Sequence, residues 1–265
     1  MKAYVINLPR SADRRAHIIR ELAKTELAYE VVAAADGQSL DLGDARLVDQ
    51  QAVRGNALAL GAGSAGALGC ALSHLWVYER MAASGEPWAV VLEDDASLAP
   101  DVATVASATA EALRPGDVAL LYCGVRGLSG PLRVQKRLSA PLPGNRRLLL
   151  ALDHHAPTGT VGYVITRLAA ERLANMVLPV RVAADAWGVF VEWGAIRHIW
   201  CVLPMPVVPA PQFRSLIDFY EPGSLRARFR SGVAALPLVK QALDYRRSRR
   251  LERWGWAGNL DVVEV

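Results

Sequence analysis

Buried-strand and helix patterns alternate from the start of the chain. Residues 3–6 form a continuous apolar run, which predicts a strand closed by the polar and proline-containing segment 7–10. Ser11 is a typical N-cap residue, and segment 12–24 after it has the apolar spacing of an amphipathic helix. A second strand is predicted at 29–33. Strand, helix and strand in this order open a right-handed βαβ unit.

The alternation continues along the chain and indicates one α/β domain over residues 1–222. Helices are predicted at 65–83 (capped by Ser64), 101–113, 167–176 and 185–191, and strands at 88–92, 118–122, 158–166 and 196–202. Segments 38–63 and 124–157 lack a clear period and are predicted to be long loops, with a short helix near 47–53 and one candidate strand at 148–150. The expected architecture is a mostly parallel sheet flanked by helices on both faces.

The strand at 88–92 leads directly into three acids, Glu93-Asp94-Asp95. Ligands of open α/β sheets bind just beyond the carboxyl ends of such strands. Three adjacent carboxylates repel one another unless a cation or hydrogen-bond donors neutralise them, and oxygen ligands suit a hard divalent ion that also holds phosphate. The alternative is an acidic turn whose side chains accept hydrogen bonds from loop amides before the next helix.

Two further motifs bear on phosphate binding. Arg14 and Arg15 fall in the first turn of a predicted helix, where cations oppose the macrodipole, so these arginines either meet an anion such as a phosphate or are simply solvated. Segment 61–66 satisfies GxGxxG by letter, but a convincing strand before it and an acid at a later strand end are missing. We interpret it as a glycine-rich lead into a helix rather than a dinucleotide site. His74 within that helix is expected to be a structural residue.

Charge is unevenly distributed although the formal net charge is only +4. Residues 224–255 hold nine Arg or Lys against two acids, which gives the tail +7 and leaves the remainder at −3. We predict a basic helical tail at 223–265, which with Trp254 and Trp256 favours an anionic membrane surface as partner. Docking of this helix on the catalytic domain is the alternative, and no nucleic-acid recognition motif accompanies the basic residues.

The cysteines and the N-terminus predict the cellular compartment. Three cysteines, Cys70, Cys123 and Cys201, lie in apolar surroundings without CxxC spacing, which predicts reduced thiols and no structural zinc site. No signal-like or membrane-spanning apolar stretch is evident. We expect a cytoplasmic protein, either soluble or peripheral on the inner face of the cytoplasmic membrane.

Taken in order, these motifs resemble glycosyltransferase family 25, which contains lipopolysaccharide and lipooligosaccharide glycosyltransferases and the related collagen galactosyltransferases. The matching segments are 5–15 (VINLPRSADRR), 35–37 (ADG), 66–74 (GALGCALSH), 91–95 (VLEDD), 159–166 (GTVGYVIT), Asp185 and 209–212 (PAPQ). The resemblance covers residues 2–213. Loops 38–63 and 124–157 and the tail depart from the family pattern, and these are the places where acceptor choice would be decided.

The resemblance implies a GT-A-like, Rossmann-type fold and an inverting transfer of galactose or glucose from a UDP-sugar to a glycan, such as a lipopolysaccharide core. The acidic triplet resembles the family's DxD-type site, with Asp95 and Glu93 holding Mn²⁺ or Mg²⁺. The implied donor contacts are Asn7, Leu8, Arg10, Arg14, Asp36 and Asp94. An inverting transfer needs a base for the acceptor hydroxyl, and Asp185 is the candidate, with a helix N-cap as the alternative role.

Other functions also fit an acidic strand end. A metal-dependent nucleotidyltransferase uses similar acids, and a catalytically inactive family relative would act as a binding module. A nicotinamide-dependent oxidoreductase is the third alternative. Sugar transfer without nucleotide incorporation separates the first from a glycosyltransferase.

Overall fold

The computed structural model describes residues 1–55, 64–125, 132–213 and 260–263. The helices are α1 Ala12–Leu22, α2 Gln50–Gly55, α3 Ala65–Ser84, α4 Val102–Ala112, α5 Arg167–Met176 and α6 Trp187–Glu192, with a short 3₁₀ helix at Gly37–Ser39. The strands are β1 Lys2–Asn7, β2 Ala28–Ala33, β3 Trp88–Glu93, β4 Ala96–Leu98, β5 Val118–Leu120, β6 Gly124–Val125, β7 Leu132–Leu142, β8 Arg146–Ala151, β9 Pro157–Thr158, β10 Gly162–Thr166, β11 Ile199–Leu203, β12 Val207–Pro209 and β13 Leu260–Val263.

The central sheet has the strand order β13-β7-β8-β11-β5-β10-β3-β1-β2. The first βαβ unit is as predicted, because β1 pairs in parallel with both β2 and β3. Strand β10 inserts antiparallel between β3 and β5, and β8 and β13 also run against the rest. Six of these nine strands therefore run in one direction, but five of the eight neighbouring pairs are antiparallel, so the expected α/β sheet is present as a mixed sheet.

Strand β3 separates two apolar layers, which explains its uninterrupted apolar sequence. Ala89 and Val91 point into the layer beneath α3 and α5, whereas Val90 and Leu92 point into the layer beneath α1 and α4. All four are fully buried. Because successive strand residues face opposite sides, a strand covered by helices on both faces has no position for a polar side chain until it ends. The acids begin where that cover ends.

The predictions for the loops need correction. In the segment 124–157, the described residues 132–151 form the antiparallel β7–β8 hairpin of the sheet rather than a loop, and the only strand predicted there is the core of β8. Strand β11 begins at Ile199, so His198 precedes the strand that was expected to contain it. In the loop at 38–63, helix α2 starts at Gln50, three residues later than predicted.

The tail is described only at 260–263, where β13 pairs with β7 at the edge of the sheet. This part of the predicted helical tail is therefore a strand. The basic and Trp-containing segments predicted to contact a membrane lie outside the described residues, and that proposal stays a prediction. Across the ranges that the structure covers, no helix combines the length and apolar character needed to cross a bilayer.

Candidate active site

A cleft of about 350 Å³ opens at the carboxyl ends of β1 and β3, against the first turns of α3. Its lining combines residues after β1, residues after β2, the start of α3 and the acidic triplet. The lining residues used below are Leu8, Arg10, Arg14, Asp36, Cys70, His74, Glu93, Asp94 and Asp95. The sequence places these groups at four separate points of the chain, and parallel pairing of β1 with β2 and β3 brings them to one edge of the sheet.

Asp94 is the internal acceptor of the triplet. It is 6% exposed. Asn7 Nδ2 donates to its Oδ2 over 2.8 Å, and Arg14 NH1 donates to its Oδ1 over 3.0 Å. Both oxygens therefore already accept hydrogen bonds from groups on β1 and α1. Asp94 ties the end of β3 to the first βα unit, and its predicted contact with the donor stays a prediction.

Arg14 bridges two of the three acids. The same NH1 atom donates to Asp95 Oδ2 over 3.0 Å, and the Phe213 ring lies 5.2 Å from the guanidinium carbon. The arginine is 7% exposed. Its position in the first turn of α1, where a cation opposes the helix macrodipole, is explained by these two carboxylates, which are the anions that it meets. The predicted role of Arg14 as a phosphate contact is not tested by these contacts.

Asp95 is the acid that has a carboxylate oxygen available for a further ligand. Its Oδ1 is buried and, among the described residues, accepts no hydrogen bond. Burial raises the pKa of Asp95 to about 6, with further upward pressure from Glu93 and Asp94, while Arg14 opposes the shift. A divalent cation beside Asp95 would satisfy the open oxygen and remove the repulsion between the acids.

Glu93 faces the other side of the cleft. Thr160 donates its hydroxyl hydrogen to Glu93 Oε1, and His74 Nε2 lies 3.6 Å from the same oxygen. Burial raises the pKa of Glu93, but His74, Thr160 and Arg14 outweigh burial and leave the pKa below its ordinary value. Glu93 therefore carries its negative charge into the cleft at neutral pH.

His74 belongs to a buried polar chain under the cleft. Its Nδ1 lies 2.7 Å from the Tyr163 hydroxyl, which in turn donates to the Tyr78 hydroxyl over 3.2 Å. Burial raises the pKa of Tyr163 far above its ordinary value, so this phenol stays protonated. The Cys70 thiol lies one helical turn before His74, and its pKa is raised well above the usual range by burial and by Glu93.

The start of α3 is held unusually close to the loop after β2. Ser64 Oγ accepts from the Ala67 amide and caps the helix as predicted, and Ser73 Oγ accepts from the Ala35 amide. A Cβ atom on Gly69 would lie 2.7 Å from the Ala35 carbonyl oxygen, which leaves no room for a side chain. Gly69 thus serves backbone packing, and this packing brings the helix to the cleft.

The mouth of the cleft carries an ion pair. Arg10 pairs with Asp36, and Asp36 Oδ1 also accepts from the Gln38 amide, which makes it the N-cap of the 3₁₀ helix. Leu8 lines the same end. The half-exposed pair presents one cation and one anion to the cleft, and both predicted donor contacts therefore reach the same cavity.

Asp185 lies on the loop before α6 rather than in the lining of the cleft described above. Its Oδ2 accepts from the Gly159 amide over 3.2 Å, and Ala186 occupies the N-cap position of α6. The charge of Asp185 contributes to the raised pKa of the Cys70 thiol, so Asp185 lies near this residue of the cleft lining. The structure therefore puts Ala186, and not Asp185, at the N-cap position of α6, and the role of Asp185 as a base stays a prediction.

Of the three acids, Asp95 is the one best suited to bind a divalent metal ion. Asp95 offers a buried, unbonded oxygen, and Glu93 offers an ionised carboxylate across the cleft. Asp94 does not fit, because both of its oxygens already accept hydrogen bonds from protein donors. Carboxylate oxygens are the ligands that Mg²⁺ and Mn²⁺ prefer, so the predicted pair of Asp95 and Glu93 is chemically consistent.

The structure also shows two residues that the sequence interpretation did not assign to the site. Cys70 and His74 are four residues apart on α3, so they share one helix face, and that face meets Glu93. The i, i+4 spacing of a thiol and an imidazole was visible in the sequence. It was passed over because His74 was assigned a structural role and Cys70 was taken as a buried thiol.

The comparison with known families matches the part of the chain that builds this cleft. The sequence model described as "Glycosyltransferase family 25 (LPS biosynthesis protein)" matches residues 1–122. Residues 1–122 are therefore similar to glycosyltransferase family 25. The matched range contains Asn7, Arg14, the start of α3 and the acidic triplet, so the resemblance seen in the motifs is confirmed there.

Individual relatives agree with the match to the family model. A "Glycosyltransferase 25 family member" of Aedes aegypti is 29% identical over 173 residues, which are 64% of this chain and 27% of that protein. A protein of the same name from Anopheles gambiae is 30% identical over 175 residues, 64% of this chain and 28% of the relative. "Procollagen galactosyltransferase 1" of Danio rerio is 29% identical over 96 residues, 36% of this chain and 16% of the relative. The matches thus span little more than a quarter of the length of the mosquito proteins.

Proposed function

We propose that the chain is an inverting, metal-dependent glycosyltransferase that moves a hexose from a UDP-sugar to a hydroxyl group of a glycan. Galactose is favoured over glucose, because one relative is named a procollagen galactosyltransferase. The observation that carries the proposal is the cleft itself. It gathers the family-matching residues around Asp95, an acid whose buried oxygen has no hydrogen-bond donor within the described structure.

In this proposal, Asp95 and Glu93 hold Mn²⁺ or Mg²⁺. When bound, the ion neutralises the diphosphate that leaves with the nucleotide. Asn7 and Arg14 fix the position of Asp94 and thereby the end of β3, so that the neighbouring acids are held in place before the donor arrives. Arg10 and Asp36 at the mouth contact the nucleotide, with Leu8 against its base.

Asp185 acts as the general base in this scheme. An inverting transfer is a single displacement, in which the acceptor oxygen attacks the anomeric carbon, the bond to the diphosphate breaks and the base takes the hydroxyl proton. Asp185 is half-buried, and one of its oxygens accepts from the Gly159 amide, which orients the carboxylate. The acceptor must therefore approach between Asp185 and the cleft.

Two acceptors deserve direct trial. The family description names lipopolysaccharide biosynthesis, and the Danio rerio relative is named for procollagen. A lipopolysaccharide core oligosaccharide and a procollagen peptide both offer hydroxyl groups. We propose the oligosaccharide as the acceptor, with the peptide as the competing arm of the same assay.

The first experiment is a thermal-shift screen of nucleotide sugars with and without Mn²⁺. A ligand at a hundred times its dissociation constant stabilises a protein by about 2.7 kcal/mol, which shifts its melting temperature measurably. We expect stabilisation by UDP-galactose with Mn²⁺, a smaller effect without the metal and none from GDP-mannose. Equal stabilisation by nucleoside triphosphates would favour a nucleotidyltransferase, and no response to any UDP-sugar would favour an inactive binding module.

A further inference from the structure

The cleft contains a second group of potential metal ligands, which we call the Cys70–His74–Glu93 cluster. One thiol sulfur, one imidazole nitrogen and one carboxylate oxygen lie within 4.8 Å of one another. Helix α3 supplies the first two from the same face, and the end of β3 supplies the third. All three residues line the cleft, so the cluster is reachable from outside.

We infer that the Cys70–His74–Glu93 cluster binds a transition-metal ion of the Zn²⁺ class, distinct in chemistry from the Mn²⁺ or Mg²⁺ proposed beside Asp95. Glu93, which both proposals use, would bridge the two ions with one carboxylate oxygen on each. Thiolate and imidazole ligands select Zn²⁺ or Co²⁺ over Mg²⁺. Three protein ligands with a fourth position open to a cleft are the arrangement of catalytic rather than structural zinc sites. The sequence expectation excluded a structural zinc site from the cysteine spacing, and it did not consider a site that combines one cysteine with a histidine and a carboxylate.

The imidazole is held in the orientation that a ligand needs. His74 is 1% exposed, and its Nε2 makes no hydrogen bond with any described residue. The opposite nitrogen, Nδ1, lies 2.7 Å from the Tyr163 oxygen, and Tyr163 donates its own hydrogen to Tyr78. Nδ1 is therefore the donor to Tyr163, which leaves Nε2 as the ring nitrogen that faces the cluster. Such an outer hydrogen bond orients most histidines that bind metals.

The spacing agrees with a single ion. Two ligands at about 2.1 Å from a tetrahedral zinc ion lie about 3.4 Å apart. His74 Nε2 and Glu93 Oε1 are 3.6 Å apart, too far for a hydrogen bond but close to this ligand separation. As the ion binds, the Cys70 S–H bond gives its proton to solvent and the thiolate sulfur donates an electron pair to the metal.

Cobalt titration of the full chain tests the inference, because a thiolate bound to Co²⁺ gives a charge-transfer absorption band. We expect this band in the wild type and its displacement by Zn²⁺. Cys70→Ser should abolish the band and weaken Co²⁺ binding by more than about a hundredfold, since even outer-sphere changes cost 10- to 100-fold. Cys123→Ala, which alters a buried cysteine outside the cluster, should leave the band unchanged. A band that persists in Cys70→Ser, or no band in the wild type, would overturn the inference.

A second measurement needs no variant. Titration of the weakly buffered wild type with Zn²⁺, followed by a pH indicator, should show release of about one proton per bound ion, because the Cys70 thiol loses its proton to the metal. Zn²⁺ binding without proton release, or no Zn²⁺ binding, would also overturn the inference. Neither measurement uses a sugar donor, so a negative result here leaves the proposed transferase activity standing, and the reverse holds as well.

Discussion

Arg14 should be a principal stabilising residue of the fold, and Arg14→Gln tests this. In the native protein, its guanidinium contacts Asp94 and Asp95 at 3.0 Å each, with its side chain only 9% exposed. Removing one partner of a buried ion pair leaves an uncompensated charge and costs about 3–5 kcal/mol. The glutamine variant leaves two neighbouring buried carboxylates without their cation, so we expect a loss in this range.

The expected change can be measured by thermal and urea denaturation at pH 7. In a domain of this size, each kcal/mol shifts the melting temperature by about 2–4 °C, so Arg14→Gln should lower it by roughly 6–20 °C. Arg15→Gln is the matched control, because Arg15 is the exposed neighbour on the same helix, and its loss should cost less than about 0.5 kcal/mol. Combining Arg14→Gln with Asp95→Asn should recover part of the loss, because the second change removes one of the two unpaired charges.

Two outcomes would refute this reasoning. An Arg14→Gln protein as stable as the Arg15→Gln control would mean that water or ions neutralise the acids in solution. Additive losses in the double variant would mean that Arg14 and Asp95 do not interact energetically.

Four further predictions follow from other parts of the molecule. Burial and the nearby His198 lower the pKa of His154 to about 4, so the unfolded chain binds this proton at a higher pH than the folded protein does. The free energy of unfolding, measured by urea denaturation, should therefore fall as the pH drops from 6.5 towards 4. His154→Gln should reduce this pH dependence. Gly69→Ala should destabilise by about 1–3 kcal/mol, because its Cβ would meet the Ala35 carbonyl, and stabilisation in the same assay would contradict the close approach of α3. Asp185→Asn should lower turnover about a hundredfold at an unchanged melting temperature, and near-normal turnover would remove it as the base. Truncation before Ser224 should abolish salt-sensitive co-sedimentation with anionic vesicles, and equal binding of both chains would rule out the tail as anchor.

The first half of the fold was predictable because each of its elements carries its own signal. The apolar runs of β1 and β3 and the Ser64 cap of α3 are local features, and the structure has them within a residue or two of the predicted positions. The β7–β8 hairpin was missed because its segment is rich in Gly, Pro and Arg, a composition that is typical of loops. In that segment, only Leu132 and Val134 alternate clearly with polar residues. The strand is stabilised by its pairing with β8, and the local sequence pattern does not show this pairing.

The candidate site was predicted as a list of residues but not as a set of partners. The family resemblance named Asn7 and the acidic triplet as parts of one site, and the structure shows that Asn7 and Asp94 are in contact. The sequence did not show that Asp94 would accept internal hydrogen bonds while Asp95 keeps an unbonded oxygen. This difference depends on which oxygens Arg14 contacts. The antiparallel insertion of β10 beside β3 brings Thr160 to Glu93 and Tyr163 to His74. The order of strands in a sheet cannot be predicted from a local sequence pattern.

Calorimetric titration of UDP-galactose into the full chain with Mn²⁺ tests the central proposal most directly. The account predicts binding to the wild type and at least a tenfold weaker affinity, about 1.4 kcal/mol, for Asp95→Asn. GDP-mannose serves as the control donor and should not bind. Asp95→Asn binding UDP-galactose as tightly as the wild type, or a wild type that binds both donors equally, would contradict the assignment of this cleft as a metal-dependent UDP-sugar site.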